Sequence, residues 1–328
     1  MIDKVIEKFS AHRELGPLLL LIILGVLFYA MNPAFLSVLN LSNMLAFIPE
    51  IGIIALGMTL LLTGGEFDLS VGALFGFTPV LMFILRNEGI MSIELAFFVV
   101  MAIAALIGFT NGILVTKVGI SSFLVTIGMQ LVVRGSGLYI SNGFPQSSWQ
   151  TQSPIKTALA YKIGFPDSFF QIVVSLFWFL ALVAVGYYVL NHTRFGNWIM
   201  ATGGNEDAAR ARGIKTDRVK IILFVITAVL AGLAGVIDAF RIRSAYPVSG
   251  TGYELEVIAM TVIGGTSLFG GRGTILGTVL GVLLLRTIRN GIVVVGVPGL
   301  AYNIFVGLTI LAMMGIHAYL EKQSGGVS

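Results

Sequence analysis

The sequence predicts an all-α, polytopic membrane protein with about ten transmembrane helices, and three observations lead there. Of its 328 residues, 56% are apolar and only 11% are charged, whereas a soluble domain carries about 25% charged residues. A mean hydropathy of +0.95 agrees, and so few charges cannot clothe a water-exposed surface. Second, the apolar residues are gathered in runs that approach the roughly 20 residues a spanning helix needs. Third, the 40 glycines exceed the ordinary usage of about 7%, which suits helices whose backbones approach closely in lipid.

The runs follow one another along a single transmembrane domain covering residues 1–328. The first, 16–32, follows Lys4, Lys8 and Arg13 but lacks a small-residue cleavage site, so it reads as an uncleaved helix. The second, 44–63, contains Pro49 and ends at Gly64-Gly65; the third, 70–85, opens behind Asp68 and Ser70. The fourth and fifth, 95–115 and 120–140, are parted by Lys117. A Ser-, Gln- and Pro-rich connection, 141–167, leads to the sixth at 168–190, and a charged connection, 191–219, leads to the seventh at 220–240. The eighth and ninth, 255–269 and 274–291, are short and broken by glycine, and the tenth is 299–319. With the N-terminus inside, Lys4, Lys8, Arg13, Lys117, Arg194, Arg210, Arg212, Lys215, Arg218, Lys220, Arg272 and Lys322 fall on the inner side. The outer side receives Arg86, Lys156, Lys162, Arg241, Arg243, Arg286 and Arg289. This bias places both termini and 191–219 inside, and 141–167 outside. An internal echo, IIALGMTLLLTGG at 53–65 against VIAMTVIGGTSLFGG at 257–271, suggests a parallel duplication.

The inventory excludes several chemistries. There is no cysteine, hence no disulfide, thiolate nucleophile or Cys-ligated metal. The three histidines, His12, His192 and His317, are far apart and form no metal motif. No Gly-Lys dipeptide occurs, so the chain carries no P-loop. No metal site is expected in this chain, and no self-contained nucleotide hydrolysis by a P-loop.

The inner connection has the grammar of a short helix. Asn205 can cap an N-terminus, Glu206 and Asp207 sit where the helix dipole favours acids, and Gly213 ends the segment. Ala208, Ala209 and Ala211 favour helix, with Arg210 and Arg212 among them. Two turns are not stable alone, so this helix must pack on its own membrane domain or on a partner.

Polar residues within the spans are the candidates for a pathway. Glu50 follows Pro49; it either faces a polar interior or lies at the interface of a span that starts late. Arg134 either serves the interior or snorkels to the outer surface, and Asn111 and Gln130 can meet a polar solute or bridge helices. In Gly64-Gly65-Glu66-Phe67-Asp68-Leu69-Ser70 the glycines allow a break, and Asp68 or Ser70 can cap the next helix.

Asp-Ala-Ala-x-x-x-Gly at 207–213 resembles the cytoplasmic loop motif of ABC-importer permeases, normally Glu-Ala-Ala-x-x-x-Gly. Arg194-Phe195-Gly196, Gly203-Gly204-Asn205, Gly64-Gly65 and Asp68-Leu69-Ser70-Val71-Gly72 are similar, more narrowly, to permeases of ribose, xylose, arabinose and galactose importers. So are Arg134-Gly135, Glu254-Leu255, Ile263-Gly264-Gly265-Thr266-Ser267-Leu268, Gly270-Gly271, Gly273-Thr274 and Asn290-Gly291. The matches keep the same order from about residue 43 to 315.

The resemblance implies a permease in a bacterial inner membrane that moves a sugar by alternating access and has no active site of its own. It implies a second permease subunit, a cytoplasmic ATPase that holds ATP and magnesium, and a periplasmic sugar-binding protein. The loop helix, with Gly204, Asn205, Glu206 and Asp207 at its start, would fit a cleft on the ATPase. Ala208, Ala209 and Gly213 would make the close contact, with Arg210 and Arg212 as its polar rim. Two departures stand out: Glu66 and Phe67 fill a gap where the family has one residue, and Asn303 stands where it often has Gln or Lys. On the outer side, Arg241, Arg243, Glu254 and Glu256 flank a Gly-rich loop and are candidates for docking the binding protein or for headgroup contact. The competing class is an ion-coupled secondary transporter or facilitator with Glu50 as its ion site; a membrane receptor or scaffold is a further alternative.

Overall fold

The computed structural model describes residues 15–147, 153–164, 171–308, 311 and 315. Lys4, Lys8, Arg13 and Lys322, much of the tenth run, and parts of the 141–167 connection lie outside the described residues. The described chain is mainly helical: α1 Leu15–Met31, α2 Val38–Thr63, α3 Val71–Asn87, α4 Ile93–Thr116, α5 Ser122–Ile140 and α6 Pro154–Ala160. There follow α7 Val174–His192, α8 Arg194–Gly204, α9 Glu206–Ala211, α10 Thr216–Ile242, α11 Tyr253–Ile263 and α12 Ile275–Val294. Two-stranded ribbons pair β1 (Gln146–Ser147) with β4 (Ser244–Ala245), and β2 (Lys162–Gly164) with β3 (Gln171–Val173).

Six of these helices, α2, α4, α5, α7, α10 and α12, are long and apolar enough to cross a membrane, and α1, α3 and the stretch Gly299–Leu308 are shorter apolar helices. The chain is therefore a multi-pass membrane protein. Two helices form its centre. α10 packs against α2, α3 and α4, and in α2 every residue from Ile48 to Thr63 is buried. A helix apolar on all sides is stable only when neighbours surround it. Glycines let them come close: a Cβ on Gly57 would meet the Thr227 Cα at 3.0 Å, and one on Gly52 would meet Phe179 at 2.6 Å. α4, α5 and α7 instead expose Phe98, Leu106, Leu131, Phe177 and Val185, as lipid-facing helices do.

Three expectations are corrected. The eighth run is not a spanning helix: α11 has 11 residues, about 16 Å at 1.5 Å per residue, against a hydrocarbon core of about 30 Å. It stops because Gly264 and Gly265 turn the chain, Gly265 with φ 98°. The connection 191–219 holds a second helix, α8, ahead of the short helix expected there, α9. α8 buries Gly196, Ile199 and Thr202, a helical repeat hidden by its glycines, and Thr193 caps it by accepting from the Gly196 N–H. The sixth run begins late, since 171–173 is strand β3.

A candidate coupling site and the buried polar residues

Three glycine pairs meet at one end of the bundle. The Gly271 N–H donates to the Thr63 carbonyl at 2.9 Å, joining the end of α2 to the turn between α11 and α12. Gly203, near the end of α8, lies between them. A Cβ there would stand 2.7 Å from the Gly271 nitrogen and 2.9 Å from the Gly64 carbonyl carbon, and would overlap the Thr63 oxygen. The two echoing segments thus end side by side, with α8 wedged against both.

α9 hangs from this junction. The Asn205 side chain accepts from the Ala208 N–H at 2.9 Å, and Gly213 leaves the helix with φ 85°. Charged side chains then tie α9 to the spans. Lys220 of α10 donates to Glu206 at 2.7 Å and to Glu66, in the turn after α2, at 2.8 Å. Arg210 bridges Glu206 and Asp217 at 2.8 Å each, and Lys117, following α4, reaches Asp217 at 2.6 Å. The network links three spans to one short helix.

Partial burial raises the Glu206 carboxyl, but hydrogen bonds from Lys220 and Arg210 outweigh it and hold the group below the usual glutamate range. A depressed carboxylate stabilises the fold above its unfolded value, and that contribution is lost as the pH falls through the folded value. Glu206→Gln should therefore lower the thermal midpoint of the purified protein at neutral pH. The difference from wild type should close only below the ordinary glutamate range.

The side chains of α9 divide between two jobs. Ala209 is buried against the protein and Arg210 is held in the ion network. The outward ridge is Asp207, Ala208, Ala211 and Arg212, with Gly204, Asn205 and Gly213 exposed at the ends. Of the residues expected in the close contact, Ala209 is buried against the protein, whereas Ala208 and Gly213, like Ala211, are exposed.

Within the bundle, Asp68 is fully buried. Its Oδ1 accepts from the Ser70 N–H (2.7 Å) and hydroxyl (2.6 Å), and Asn111 donates to its Oδ2 at 3.3 Å. Asp68 therefore orders the turn before α3, while Ser70 makes no side-chain cap. Glu50 is buried too, not interfacial. Arg241 donates to it through two nitrogens and to Asp238 at 2.8 Å, its guanidinium lying 4.2 Å from the centre of the Phe47 ring.

Arg134 does not snorkel. It donates to the carbonyls of Pro247 (2.8 Å), Ser249 (2.6 Å) and Gly72 (3.0 Å). Gln130 donates to Glu254 at 3.0 Å, and a Cβ on Gly72 would overlap the same carboxylate. Glu256 accepts from Tyr302 and lies 3.6 Å from Arg286, which is buried in α12 rather than set in an outer loop. Three of the four charges expected around the Gly-rich loop, Arg241, Glu254 and Glu256, therefore turn inwards, and Arg243 alone of the four is exposed. Asn303 is exposed on the last helical stretch. Among the described residues, no group of three or more His, Asp or Glu could hold a metal ion.

Sequence reasoning missed Lys220 and Glu66 as functional partners. Lys220 counted only as an inner-face charge and Glu66 only as a departure from the family pattern. The signal was Lys220 one turn into an apolar helix, behind Asp217 and Arg218, since a charge at that depth calls for a partner.

Comparison with known proteins places this arrangement. A family model described as branched-chain amino acid transport system / permease component matches residues 40–314. The ribose import permease protein of Escherichia coli K12 is 36% identical over 303 residues, 91% of either chain. That of Bacillus subtilis 168 is 37% identical over 310 residues, 94% of either chain. The xylose/arabinose import permease protein of Sulfolobus acidocaldarius is 31% identical over 310 residues, 92% of this chain and 84% of its own. No solved structure matches.

Proposed function

The chain belongs to the branched-chain amino acid transport system / permease component family, and from that membership we infer that it is the membrane-spanning permease subunit of an ABC importer whose cargo is a sugar: a pentose, a hexose or a related polyol. The observation that carries this reading is 36–37% identity to ribose import permeases across more than nine-tenths of the chain.

On this reading the protein lies in the bacterial inner membrane, and its lysine and arginine bias puts the α8–α9 end in the cytoplasm. ATP and magnesium belong to a partner ATPase, a second permease subunit completes the pathway, and a periplasmic binding protein delivers the sugar, with Arg243 among the residues it meets. This chain's share is the path and the lever. The ridge Asp207, Ala208, Ala211 and Arg212 seats in the ATPase, while Ala209, Glu206 and Arg210 fasten the helix inwards. When ATP closes the ATPase dimer, α9 moves with it. Lys220 and the glycine junction pass that movement to the break between α2 and α3, and the bundle alternates its access.

Gly213→Glu tests the docking role. A Cβ at Gly213 points into open space, so the new side chain projects outwards, although φ of 85° strains it. Asparagine tolerates this conformation, so Gly213→Asn is the control for strain. Gly213→Glu should insert normally yet lose co-purification with the ATPase, while Gly213→Asn keeps it. Normal co-purification of Gly213→Glu would contradict the role.

A further inference from the structure

Between α10 and α11 the chain re-enters the bundle without being helical. At Ser244–Ala245 it is paired with Gln146–Ser147, at the end away from the glycine junction. By Glu254 it has reached Gln130, which stands midway along the 19-residue α5. Seven residues, 246–252, make that descent as turns and irregular backbone.

One side of this segment is well provided for. Pro247 and Gly250 are buried, and Arg134 donates to the carbonyls of Pro247 and Ser249. The other side is not covered: Tyr246, Val248, Thr251 and Gly252 are exposed. Irregular backbone at membrane depth is not stable against hydrocarbon, which cannot satisfy its polar groups; it persists only against protein or a water-filled cavity. The exposed set also offers a phenol and a hydroxyl but no charge, because Glu254 and Glu256 are turned inwards. That chemistry suits neutral hydroxylated solutes.

We propose that the exposed side of the re-entrant segment, Tyr246, Val248, Thr251 and Gly252, is a wall of the aqueous path through the membrane, presenting the Tyr246 phenol and the Thr251 oxygen, whose own proton is given to the Val248 carbonyl at 2.7 Å, to the hydroxyl groups of a passing polyol. The wall is argued from the backbone alone; the identity of the cargo rests on the sugar-permease reading.

Because the chain contains no cysteine, single cysteines report accessibility directly. Thr251→Cys and Val248→Cys would be made in the complete transporter in proteoliposomes and treated with a membrane-impermeant methanethiosulfonate. Leu106→Cys is the comparison, an exposed position midway along the regular helix α4. Labelling is read on the band of this subunit. Both segment cysteines should react at least an order of magnitude faster than Leu106→Cys, and modification at Thr251→Cys should block ribose uptake. Thr251→Cys is nearly isosteric, and the second position guards against misfolding of either variant. Reaction no faster than at Leu106→Cys at both positions would overturn the proposal. Labelling needs neither ATP nor sugar, so fast labelling without ribose uptake by the wild type would sustain the path and overturn only the cargo.

Discussion

Arg241→Met should destabilise the protein by about 3–5 kcal/mol, the usual result of removing one partner from a buried charge pair. The guanidinium holds Glu50 of α2 through two bonds and Asp238 of α10 through a third, and it stacks on Phe47. Methionine preserves much of the apolar stem but leaves two carboxylates facing each other inside the bundle without their cation. Thermal unfolding of the detergent-purified protein measures the loss. The control removes the charges together: Glu50→Leu, Asp238→Asn and Arg241→Met in one chain should recover most of the stability, because replacing a whole buried ionic group with apolar residues is often neutral. If Arg241→Met alone unfolds at the wild-type temperature, the cluster does not fasten α2 to α10.

Gly203→Ala should cost about 1–3 kcal/mol, the usual range for forcing an extra carbon into a packed interior. The three nearest neighbours of the added carbon are all main chain: the Thr63 oxygen, the Gly271 nitrogen and the Gly64 carbon. A flexible side chain could swing away, but these atoms move only if α2, α8 or the α11–α12 turn moves. The same variant should therefore lose sugar uptake out of proportion to its stability, because the wedge is also the proposed link between α9 and the spans. Gly128→Ala on α5 meets nothing within 4 Å and should be neutral in both assays. Wild-type uptake and stability for Gly203→Ala would show that the junction is neither tight nor mechanical.

The sequence reveals most where the determinants are local. Asn205, three residues before the N–H it caps, and Gly213, with its left-handed backbone, mark both ends of α9 within a few residues of each other. The apolar runs mark the spans because length and composition alone decide whether a helix can cross lipid. What stays hidden depends on residues far apart in the chain. Glu66 and Lys220 are 154 residues apart, and Glu50 and Arg241 are 191 apart. No local pattern pairs them, so Lys220 and Arg241 read as inner- and outer-side charges and Glu50 as a pathway candidate without a partner. Glu254 and Glu256 beside a Gly-rich stretch look like an outer loop for the same reason. The contacts from α5, Arg134 to the carbonyls of Pro247 and Ser249 and Gln130 to Glu254, show that the stretch descends into the bundle. The buried acids also gave the ion-coupled alternative its appeal. In the fold, Glu50 has Arg241 as its partner and Asp68 holds a turn together.

Transport by the purified components decides the central claim. The chain is reconstituted in proteoliposomes with and without its cognate ATPase, with the binding protein and a labelled sugar that it retains on the outside. Accumulation should require the ATPase together with ATP and magnesium on the cytoplasmic side, and should vanish when either is withheld. Accumulation by this chain alone, driven by a proton or sodium gradient, would contradict the account.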